Sequence, residues 1–384
     1  MKTLITGGLG FIGLHVAQVL AGAGRRLVLL DNLSPQIHGV LPAGDWAALL
    51  SNPNIELLRG DVRCSADWAR ALDGVDCVIH LAAETGTAQS MYEIRRYVRT
   101  NDLGTAALLH HLANRPHTVA KLILASSRAV YGEGMYDCKT CGTVCPATRR
   151  EDRLQRACWE ARCPTCDGPI DPKPTSEEAE TKPGSIYAVT KLTQEHLVRV
   201  AGSALGIPYV IFRFQNVYGE GQSLKNPYTG ILSIFSNQLR QAETVRLYED
   251  GKETRDFVHV SDVARAVWLA ADSPYGDGQV LNVGSGVATT VQRIAFVLSE
   301  LFGSRSDIVV SGEYRLGDIR HGYADLTRSK RVLGFSPQTT LENGLDRFVS
   351  WVKRQPTARV RPAAAELLAH GLMGQYVESE KPSL

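Results

Sequence analysis

Tyr187 and Lys191 are four residues apart in a segment whose pattern predicts a helix over Tyr187–Ala204. Side chains at this spacing lie on the same face of a helix. A cation beside a phenol favours the phenolate and lowers the tyrosine pKa from its usual value of about 10. Tyr187 is therefore a candidate general base near neutral pH. The same spacing also fits a half-buried tyrosine that is covered by a lysine stem.

A glycine-rich turn near the start of the chain is the second candidate for chemistry. Gly7, Gly10 and Gly13 follow one predicted strand and open a predicted helix, and Asp31 closes the next strand. Glycine lets the backbone approach a pyrophosphate, and the helix start offers free N–H groups. A carboxylate at Asp31 can hold both ribose hydroxyls and would repel a 2′-phosphate. The pattern predicts a dinucleotide site that prefers NAD to NADP, with a purely structural turn as the alternative.

A cluster of cysteines is the third candidate. Four of the eight cysteines form two Cys-x-x-Cys pairs: Cys138, Cys141, Cys163 and Cys166. This spacing matches a zinc site with four thiolate ligands, which is closed and structural. Cys145 and Cys158 are left over in the same stretch, as spare thiols or as members of a different ligand set. Reduced cysteines without a metal are the simpler alternative.

A zinc ribbon also raises the hypothesis of nucleic-acid binding, and the charge pattern disfavours it. The insert contains Arg149, Arg150, Arg153, Arg156 and Arg162, but acidic residues interrupt them. We therefore expect a solvated helix of mixed charge there. The net charge of +2 favours neither nucleic acid nor an anionic membrane. No apolar run approaches about 18 residues and no signal-peptide pattern occurs, so we expect a cytoplasmic protein without nucleic-acid or membrane partners.

The elements that must position these residues alternate between strands and helices. The predicted strands are Thr3–Thr6, Arg26–Leu30, Ile55–Arg59, Cys77–Leu81, Val119–Ala125, Tyr209–Phe212, Val258–Val260 and Val280–Val283. The predicted helices are Phe11–Ala21, Ala66–Leu72, Met91–Asn114, Tyr187–Ala204, Val263–Ala271 and Val291–Leu301. This alternation predicts the α/β class with a Rossmann-type, doubly wound parallel sheet.

The length of 384 residues allows one large domain or two modest ones. We expect an NAD-binding domain over residues 1–215, which carries the cysteine-rich, zinc-ribbon-like insert at 133–172. Shorter and less regular elements predict a smaller, mainly substrate-binding lobe over residues 216–353. Residues 354–384 are predicted to form a loosely attached tail with one helix near Ala363–His370.

The chain resembles the extended short-chain dehydrogenase/reductase family, in its nucleotide-sugar epimerase/dehydratase branch, over about residues 1–350 apart from the insert. The resemblance rests on a series of motifs in the expected order. These are Gly7/Gly10/Gly13, Asp31-Asn32, Asp61-Val62, His80-Leu81-Ala82-Ala83, Asn101 with Gly104-Thr105, Ser126–Gly132, Tyr187/Lys191, Arg213–Gly219, Thr254–Val260 and Asn282-Val283-Gly284.

The resemblance implies roles for individual residues. Ser127 would hydrogen-bond the reacting sugar oxygen, Tyr187 would be the acid/base, and Lys191 would bind the nicotinamide ribose and tune Tyr187. The expected NAD-binding residues are Gly7, Gly10, Phe11, Ile12, Gly13, Asp31, Asn32, Asp61, Val62, Leu81, Ala82, Ala83, Asn101, Tyr187 and Lys191. The expected substrate-binding residues are Thr85, Ser127, Asn216, Gln222, Arg255, Arg315 and Asp318. The arginines would pair with the substrate phosphates, and the family implies a homodimer through the Met91–Asn114 and Tyr187–Ala204 helices.

The two residues after Ser127 narrow the reaction. Dehydratases of this branch carry an Asp-Glu pair there, and decarboxylases carry a glutamate. This chain has Arg128 and Ala129, neither of which can act as a carboxyl acid or base. A 4-epimerase needs only room for its 4-keto sugar to turn, so we expect a 4-epimerase with recycled NAD. A dehydratase or reductase is an alternative, and a zinc-ribbon binding protein on an inactive fold is the non-enzyme alternative.

Two stretches would line the sugar pocket, Glu84–Ser90 and Gln222–Gly230. The second stretch and the cysteine insert resemble bacterial dTDP-L-rhamnose 4-epimerases. This resemblance implies interconversion of dTDP-L-rhamnose and dTDP-6-deoxy-L-talose, with a UDP-hexose as the second candidate substrate.

Overall fold

The computed structural model describes residues 1–37, 44–228, 230–357 and 363–376. The first part of the chain alternates strands with helices. Its elements are β1 (Lys2–Thr6), α1 (Phe11–Gly22), β2 (Arg26–Asp31), α2 (Ala47–Leu50), β3 (Ile55–Arg59), α3 (Ser65–Ala71), β4 (Cys77–His80), α4 (Thr87–Ser90), α5 (Ile94–Tyr97), α6 (Leu103–Asn114) and β5 (Lys121–Ser127).

The cysteine-rich insert and the second half of the chain follow. The insert contains β6 (Tyr136–Cys138), β7 (Gly142–Val144), α7 (Glu151–Leu154) and β8 (Ile170–Pro172). The remaining elements are α8 (Ile186–Leu205), β9 (Tyr209–Phe214), β10 (Asn216–Tyr218), α9 (Ile231–Arg240), β11 (Val245–Leu247), β12 (Thr254–Arg255), β13 (Phe257–His259), α10 (Val260–Asp272), β14 (Gln279–Val283), β15 (Thr289–Thr290), α11 (Val291–Phe302), β16 (Ile308–Val310), β17 (Glu313–Arg315), β18 (His321–Gly322), α12 (Thr327–Leu333), α13 (Leu341–Arg354), α14 (Ala364–Ala369) and β19 (Met373–Gln375).

The main sheet has seven strands in the order β14-β9-β5-β4-β1-β2-β3. All neighbouring pairs are parallel, which confirms the predicted Rossmann-type sheet. The strand order reverses direction between β1 and β4. In such sheets, ligands bind in the crevice at the carboxyl ends of the strands beside this switch point. The residues that follow β1 and β4 are therefore at the expected ligand edge.

The sheet is covered on both faces, which explains the unbroken apolar runs in its strands. Side chains alternate along β1, so Ile5 packs in the cluster that includes α1 and α10, while Leu4 packs in the cluster with Trp68 and Val198. A third cluster, which includes Phe235 and Phe348, packs α9, α11 and α13 together within the range predicted for the smaller lobe. Two elements of that range lie with the main sheet, since α10 packs against α1 and β14 extends the sheet.

Two further expectations are corrected by the structure. The predicted helix Met91–Asn114 is interrupted, since a π-helical turn at Val98–Asp102 joins α5 to α6. The tail is attached more firmly than expected over residues 363–376, because β19 pairs with β17 and buries Met373. The predicted tail helix is present as α14, and residues 358–362 and 377–384 lie outside the described part of the chain. Among the described helices, none has the length and apolar character needed to cross a membrane.

Candidate active site

The glycine turn between β1 and α1 is held together by its own backbone. Gly7 has a φ of +65°, and a Cβ atom there would lie 3.0 Å from the backbone of Ala82. A Cβ on Gly13 would lie 2.3 Å from the Gly7 carbonyl oxygen, closer than any side chain permits. Gly8 is equally restricted, because its Cβ would lie 2.8 Å from the Leu29 side chain. The turn therefore also needs glycine at Gly8, which is not one of the three glycines in the Gly7, Gly10 and Gly13 spacing.

The Asp31 carboxylate, at the end of β2, connects this turn to the following loop. It accepts hydrogen bonds from the backbone N–H of Leu9 at 3.1 Å and of Leu33 at 2.9 Å. The turn also bonds directly to β2, since Gly7 N–H donates to the Leu30 carbonyl oxygen at 2.8 Å. Local backbone and side-chain bonds thus fix the start of α1 beside a carboxylate, as the dinucleotide prediction requires.

A cleft of about 400 Å³ opens at this edge of the sheet. Most of the expected NAD-binding residues line it: Gly7, Gly10, Phe11, Ile12, Gly13, Asp31, Asn32, Val62, Leu81, Ala82, Ala83, Tyr187 and Lys191. Three of the expected substrate-binding residues, Thr85, Ser127 and Gln222, also line it. The structure therefore brings the predicted cofactor residues, the catalytic pair and part of the predicted sugar pocket into one cleft.

Asp61 and Asn101 lie beside this cleft and are engaged by protein groups. The Asp61 carboxylate accepts from Arg63 at 2.6 Å and from Asn32 at 3.1 Å. Asn101 is buried in the π-helical turn, where its amide bonds the Glu84 backbone on one side and the Thr190 hydroxyl at 2.9 Å on the other. Asn101 thus joins the loop after β4 to the helix that carries Tyr187.

Ser127, Tyr187 and Lys191 meet at the carboxyl end of β5 and line the same cleft. The Ser185 side chain accepts from Ala188 N–H at 3.2 Å and so starts α8 directly before Tyr187. Lys191 Nζ donates to the carbonyl oxygen of Ala125 at 2.9 Å. Burial lowers the pKa of Lys191 to about 8. The predicted catalytic group is therefore assembled within one part of the fold.

Two cations lie near Tyr187. The Lys191 Nζ atom is 6.0 Å from the centre of the Tyr187 ring, as the spacing predicts. Burial raises the pKa of Tyr187, while the Ser127 hydroxyl and the positive charge of Arg128 lower it. Arg128 is therefore a second cation that the spacing argument does not include. Burial and the charge of Arg255 lower the pKa of Arg128 itself to about 10. Within the described residues no hydrogen bond or ion pair reaches its guanidinium.

A small cavity of about 20 Å³ lies beside Arg128. Its lining includes Glu133 and Thr148 from the cysteine insert and Asp318 from the smaller lobe. Asp318 Oδ1 accepts from Arg255 Nη2 at 2.9 Å. Sequence reasoning did not select Arg128, Glu133 or Thr148 as site residues. Only the position of Arg128 directly after Ser127 signals its place.

The other expected substrate-binding residues are held by protein contacts. Arg255 is buried, and its guanidinium also donates to the carbonyl oxygens of Thr254, Ile319 and Arg320. Arg315 lies over the ring of Tyr248 at 4.7 Å. Asn216 belongs to β10 and pairs with Phe257. The described residues that line the large cleft include none of these three, Arg255, Arg315 and Asn216.

The two Cys-x-x-Cys pairs converge in space. The four Sγ atoms of Cys138, Cys141, Cys163 and Cys166 all lie within 4.8 Å of one another, and Cys138 Sγ is 3.6 Å from Cys166 Sγ. Ligands of a tetrahedral zinc ion at about 2.3 Å from the metal are about 3.8 Å apart. Cys145 and Cys158 lie outside this group. The geometry therefore selects the four cysteines that the spacing predicts.

The region around Arg149 is not the solvated helix that the charge pattern predicts. Helix α7 has only four residues, Glu151–Leu154, and Arg149 before it is buried. Its guanidinium bonds both oxygens of Glu249 at 2.7 and 2.8 Å. The expectation of a solvated segment is thus wrong for Arg149, because long-range partners decide its burial.

The family model of the NAD dependent epimerase/dehydratase family matches residues 3–151 and 162–284 of this chain. The chain belongs to this family. The matched residues include the glycine turn and the catalytic group, and the break at 151–162 falls in the cysteine insert. The expected resemblance is confirmed.

Curated and solved members of the epimerase/dehydratase family are similar over nearly the whole chain. A dTDP-L-rhamnose 4-epimerase of Burkholderia thailandensis is 38% identical, over 92% of this chain and 95% of the relative. A dTDP-glucose 4,6-dehydratase of Streptomyces griseus is 29% identical, over 91% and 93%. The crystal structure of a UDP-glucuronic acid 4-epimerase from Bacillus cereus, in complex with UDP-glucuronic acid and NAD, matches with a TM-score of 0.75 and 26% identity over 92% and 99%.

Proposed function

We propose that the protein is an NAD-dependent nucleotide-sugar 4-epimerase. The observation that carries this proposal is the group formed by Ser127, Tyr187 and Lys191, with Arg128 and Ala129 where a dehydratase needs an acid pair. The similar family members include both an epimerase and a dehydratase, so membership of the family does not decide the reaction. The residues after Ser127 are what favours epimerisation. The proposal therefore depends on residues that line or adjoin the cleft of this chain.

The cleft fits NAD on structural grounds. The backbone of the turn leaves no room for a side chain at Gly7 or Gly13, and Asp31 stands at the end of β2. A pyrophosphate would bind at the start of α1, and the adenosine ribose would bind beside Asp31. When bound, NAD supplies the acceptor and donor of a hydride. A solved family member with NAD supports the same assignment.

The reaction requires a base at the sugar C4 hydroxyl and freedom for the oxidised sugar to turn. Tyr187 would remove the hydroxyl proton as C4 is oxidised, and Ser127 would hold the same oxygen. Tyr187 would return the proton after the 4-keto sugar has presented its other face. Arg128 would favour the phenolate form of Tyr187 by its charge.

For the substrate, we propose dTDP-L-rhamnose and its C4 epimer dTDP-6-deoxy-L-talose. The relative at 38% identity supports this choice. The solved UDP-glucuronic acid 4-epimerase keeps a UDP-hexose as the second candidate. The test is to incubate the protein with dTDP- and UDP-sugars and to follow inversion at C4 by NMR. Inversion without added NAD is the expected result, and accumulation of a 4-keto-6-deoxy sugar would contradict epimerisation.

We also propose that Cys138, Cys141, Cys163 and Cys166 bind one structural zinc ion. Support comes from the convergence of their four Sγ atoms and from the small apolar cluster of the insert, which is too small to fold it alone. We expect one zinc per chain by elemental analysis. Cys163→Ser should lose the metal, whereas Cys158→Ser, at an exposed position outside the group, should keep it. Equal zinc contents in the two variants would refute the site.

A homodimer through α5, α6 and α8 is the proposed assembly. These helices and the turn between α5 and α6 expose large apolar side chains: Ile94, Val98, Leu103, Val189 and Val200. Pairing two copies through these helices would bury them in a four-helix bundle. Light scattering of the wild type and of Leu103→Asp should give a dimer and a monomer, respectively.

A further inference from the structure

The insert, defined as the cysteine module over residues 133–172, reaches the smaller lobe through Arg149. All three guanidinium nitrogens of Arg149 donate hydrogen bonds. Besides the two bonds to Glu249, Nε donates to Glu133 at 3.2 Å and Nη2 to the carbonyl oxygen of Asp318 at 3.0 Å. The side chains of Arg149, Glu133 and Glu249 are each less than 5% exposed. The planar fork of an arginine is suited to holding several acceptors in fixed positions.

A second contact joins the module to the same part of the lobe. Glu160, three residues before Cys163, accepts from Arg320 at 2.7 Å and lies 3.1 Å from His321 Nε2. Arg320 is buried and also bonds Glu249 and Asp250, both at 3.0 Å or less. The module therefore holds the segment 318–321 from two points, both of which lie between Cys141 and Cys163 in the chain.

The segment 318–321 contains the expected substrate-binding residue Asp318 and surrounds Arg255, which is expected at the substrate phosphates. Asp318 and the carbonyl oxygens of Ile319 and Arg320 surround the guanidinium of Arg255. Asp318 also lines the small cavity together with Arg128. A displacement of this segment would move both Asp318 and Arg255, and with them the wall of that cavity.

We propose that the cysteine module is a positioning element for nucleoside-diphosphate recognition, acting through Arg149 and Glu160 on Asp318 and Arg255. The inference rests on the proposed nucleotide-sugar substrate and on the proposed zinc ion. The zinc ion fixes the fold of the module, and the module fixes the segment 318–321. Among the described residues, no hydrogen bond or ion pair joins the module to the residues expected to bind NAD. The module therefore affects binding of the nucleoside diphosphate and leaves NAD binding intact.

The test compares Arg149→Met with Arg150→Met in the full-length protein. Arg150 is the neighbouring arginine and is largely exposed, and among the residues that the structure describes its side chain pairs with Asp152 alone, so it controls for loss of charge in the module. For each variant, zinc content, bound NAD, kcat and KM for the nucleotide sugar, and the Kd for dTDP and for UDP are measured. For Arg149→Met we expect Kd and KM to rise about tenfold or more, because small displacements of binding groups weaken their contacts strongly. Zinc and NAD contents should equal those of Arg150→Met, and kcat should change less than KM.

Glu160→Gln is the second variant, because Arg149→Met removes a buried cation from beside the two buried carboxylates of Glu133 and Glu249 and can prevent folding. Circular dichroism establishes which variants fold. A smaller rise in the Kd for dTDP or UDP with Glu160→Gln supports the inference. Unchanged affinity in every variant that folds would overturn it. Because measuring the Kd does not need turnover, it also separates this inference from epimerisation. If the wild type contains no zinc and Arg149→Met still raises the Kd, the zinc ion is refuted and the positioning role of Arg149 stands.

Discussion

The glycine turn and the region around Arg149 lie at two ends of the proposed active-site region, yet different interactions hold them. The turn is fixed by hydrogen bonds to the end of the neighbouring strand β2, such as Leu9 N–H to the Asp31 carboxylate, which is 22 residues away. The Arg149 region is fixed by buried charges that are 100 residues apart in the chain in the case of Arg149 and Glu249. The turn requires glycines, which have no side chain, whereas the Arg149 region requires that buried charged residues pair with one another. The two ends should therefore respond to different mutations.

The largest effect on kcat is expected from a substitution at Tyr187, which lies in neither the glycine turn nor the Arg149 region. Tyr187→Phe removes the hydroxyl that carries the proton, so kcat should fall by about 10²–10⁴. Bound NAD and the Kd for dTDP or UDP should stay unchanged, which would show that chemistry is separable from both ends. Tyr275→Phe, at an exposed tyrosine, is the control and should keep full activity. Undiminished turnover in Tyr187→Phe would contradict the acid/base role of this hydroxyl.

The cofactor end should be most sensitive to added atoms. In Gly13→Ala the new Cβ would lie 2.3 Å from the Gly7 carbonyl oxygen, so the turn must open and the purified protein should lose most of its NAD. Gly22→Ala is the matched control, because it lies in the same helix and its Cβ would meet nothing within 4 Å. That variant should bind NAD normally and be as stable as the wild type or more so, by up to about 1 kcal/mol. Chromatography of the released nucleotide measures the difference, and equal NAD contents would contradict the proposed cradle.

A moderate effect on pH dependence is expected at Arg128, which lies between the two ends. Its positive charge lowers the pKa of Tyr187, so its removal raises that pKa. In Arg128→Met the phenolate would form only at higher pH. The acid limb of the kcat/KM profile should therefore move toward alkaline pH, with a several-fold loss of kcat/KM at neutral pH. Arg128→Lys keeps a charge and should restore part of the wild-type profile. An unshifted acid limb in Arg128→Met would mean that this charge does not tune Tyr187.

The smallest effect is expected at Arg153 of the cysteine module, which is half-buried. Arg153→Met removes its ion pair with Asp167, and because Asp167 is largely exposed, such a pair adds little to stability. We expect no measurable change in Tm or in KM, in contrast to Arg149→Met. A large loss of substrate affinity in Arg153→Met would show that the module acts by its overall charge, and the contrast between local and long-range contacts would fail.

This contrast also explains how much the sequence could predict. The strands of the main sheet and the helices α1, α3, α8, α10 and α11 were predictable, because each carries its own apolar pattern. The NAD-binding residues were predictable for a related reason, since the turn and Asp31 follow directly from neighbouring elements. The cysteine group was predictable because ligand spacing within each pair is local.

The parts that escaped prediction depend on partners far away in the chain. The local sequence around Arg149 is typical of a surface arginine, because its partner Glu249 is distant in the chain. Likewise, the motif around Arg255 indicates a phosphate ligand and does not reveal that the segment 318–320 surrounds its guanidinium. The π-helical turn at Val98–Asp102 has no signal in the apolar pattern, yet it places Asn101 between the loop after β4 and α8. Short strands such as β17 and β19 likewise have no pattern of their own.

The pairing of β19 with β17 has a consequence for how the protein is made. Met373 pairs with Arg315, and Glu366 bonds the hydroxyls of Tyr92 and Tyr228, the second of which lines the cleft. A ribosome releases the glycine turn early, because domains fold from the N-terminus during synthesis. The pair of β17 and β19 cannot form until residue 375 has left the ribosome. A translation product that stops before α14 would therefore keep the glycine turn, while Tyr228 at the edge of the cleft would lack its contact with Glu366.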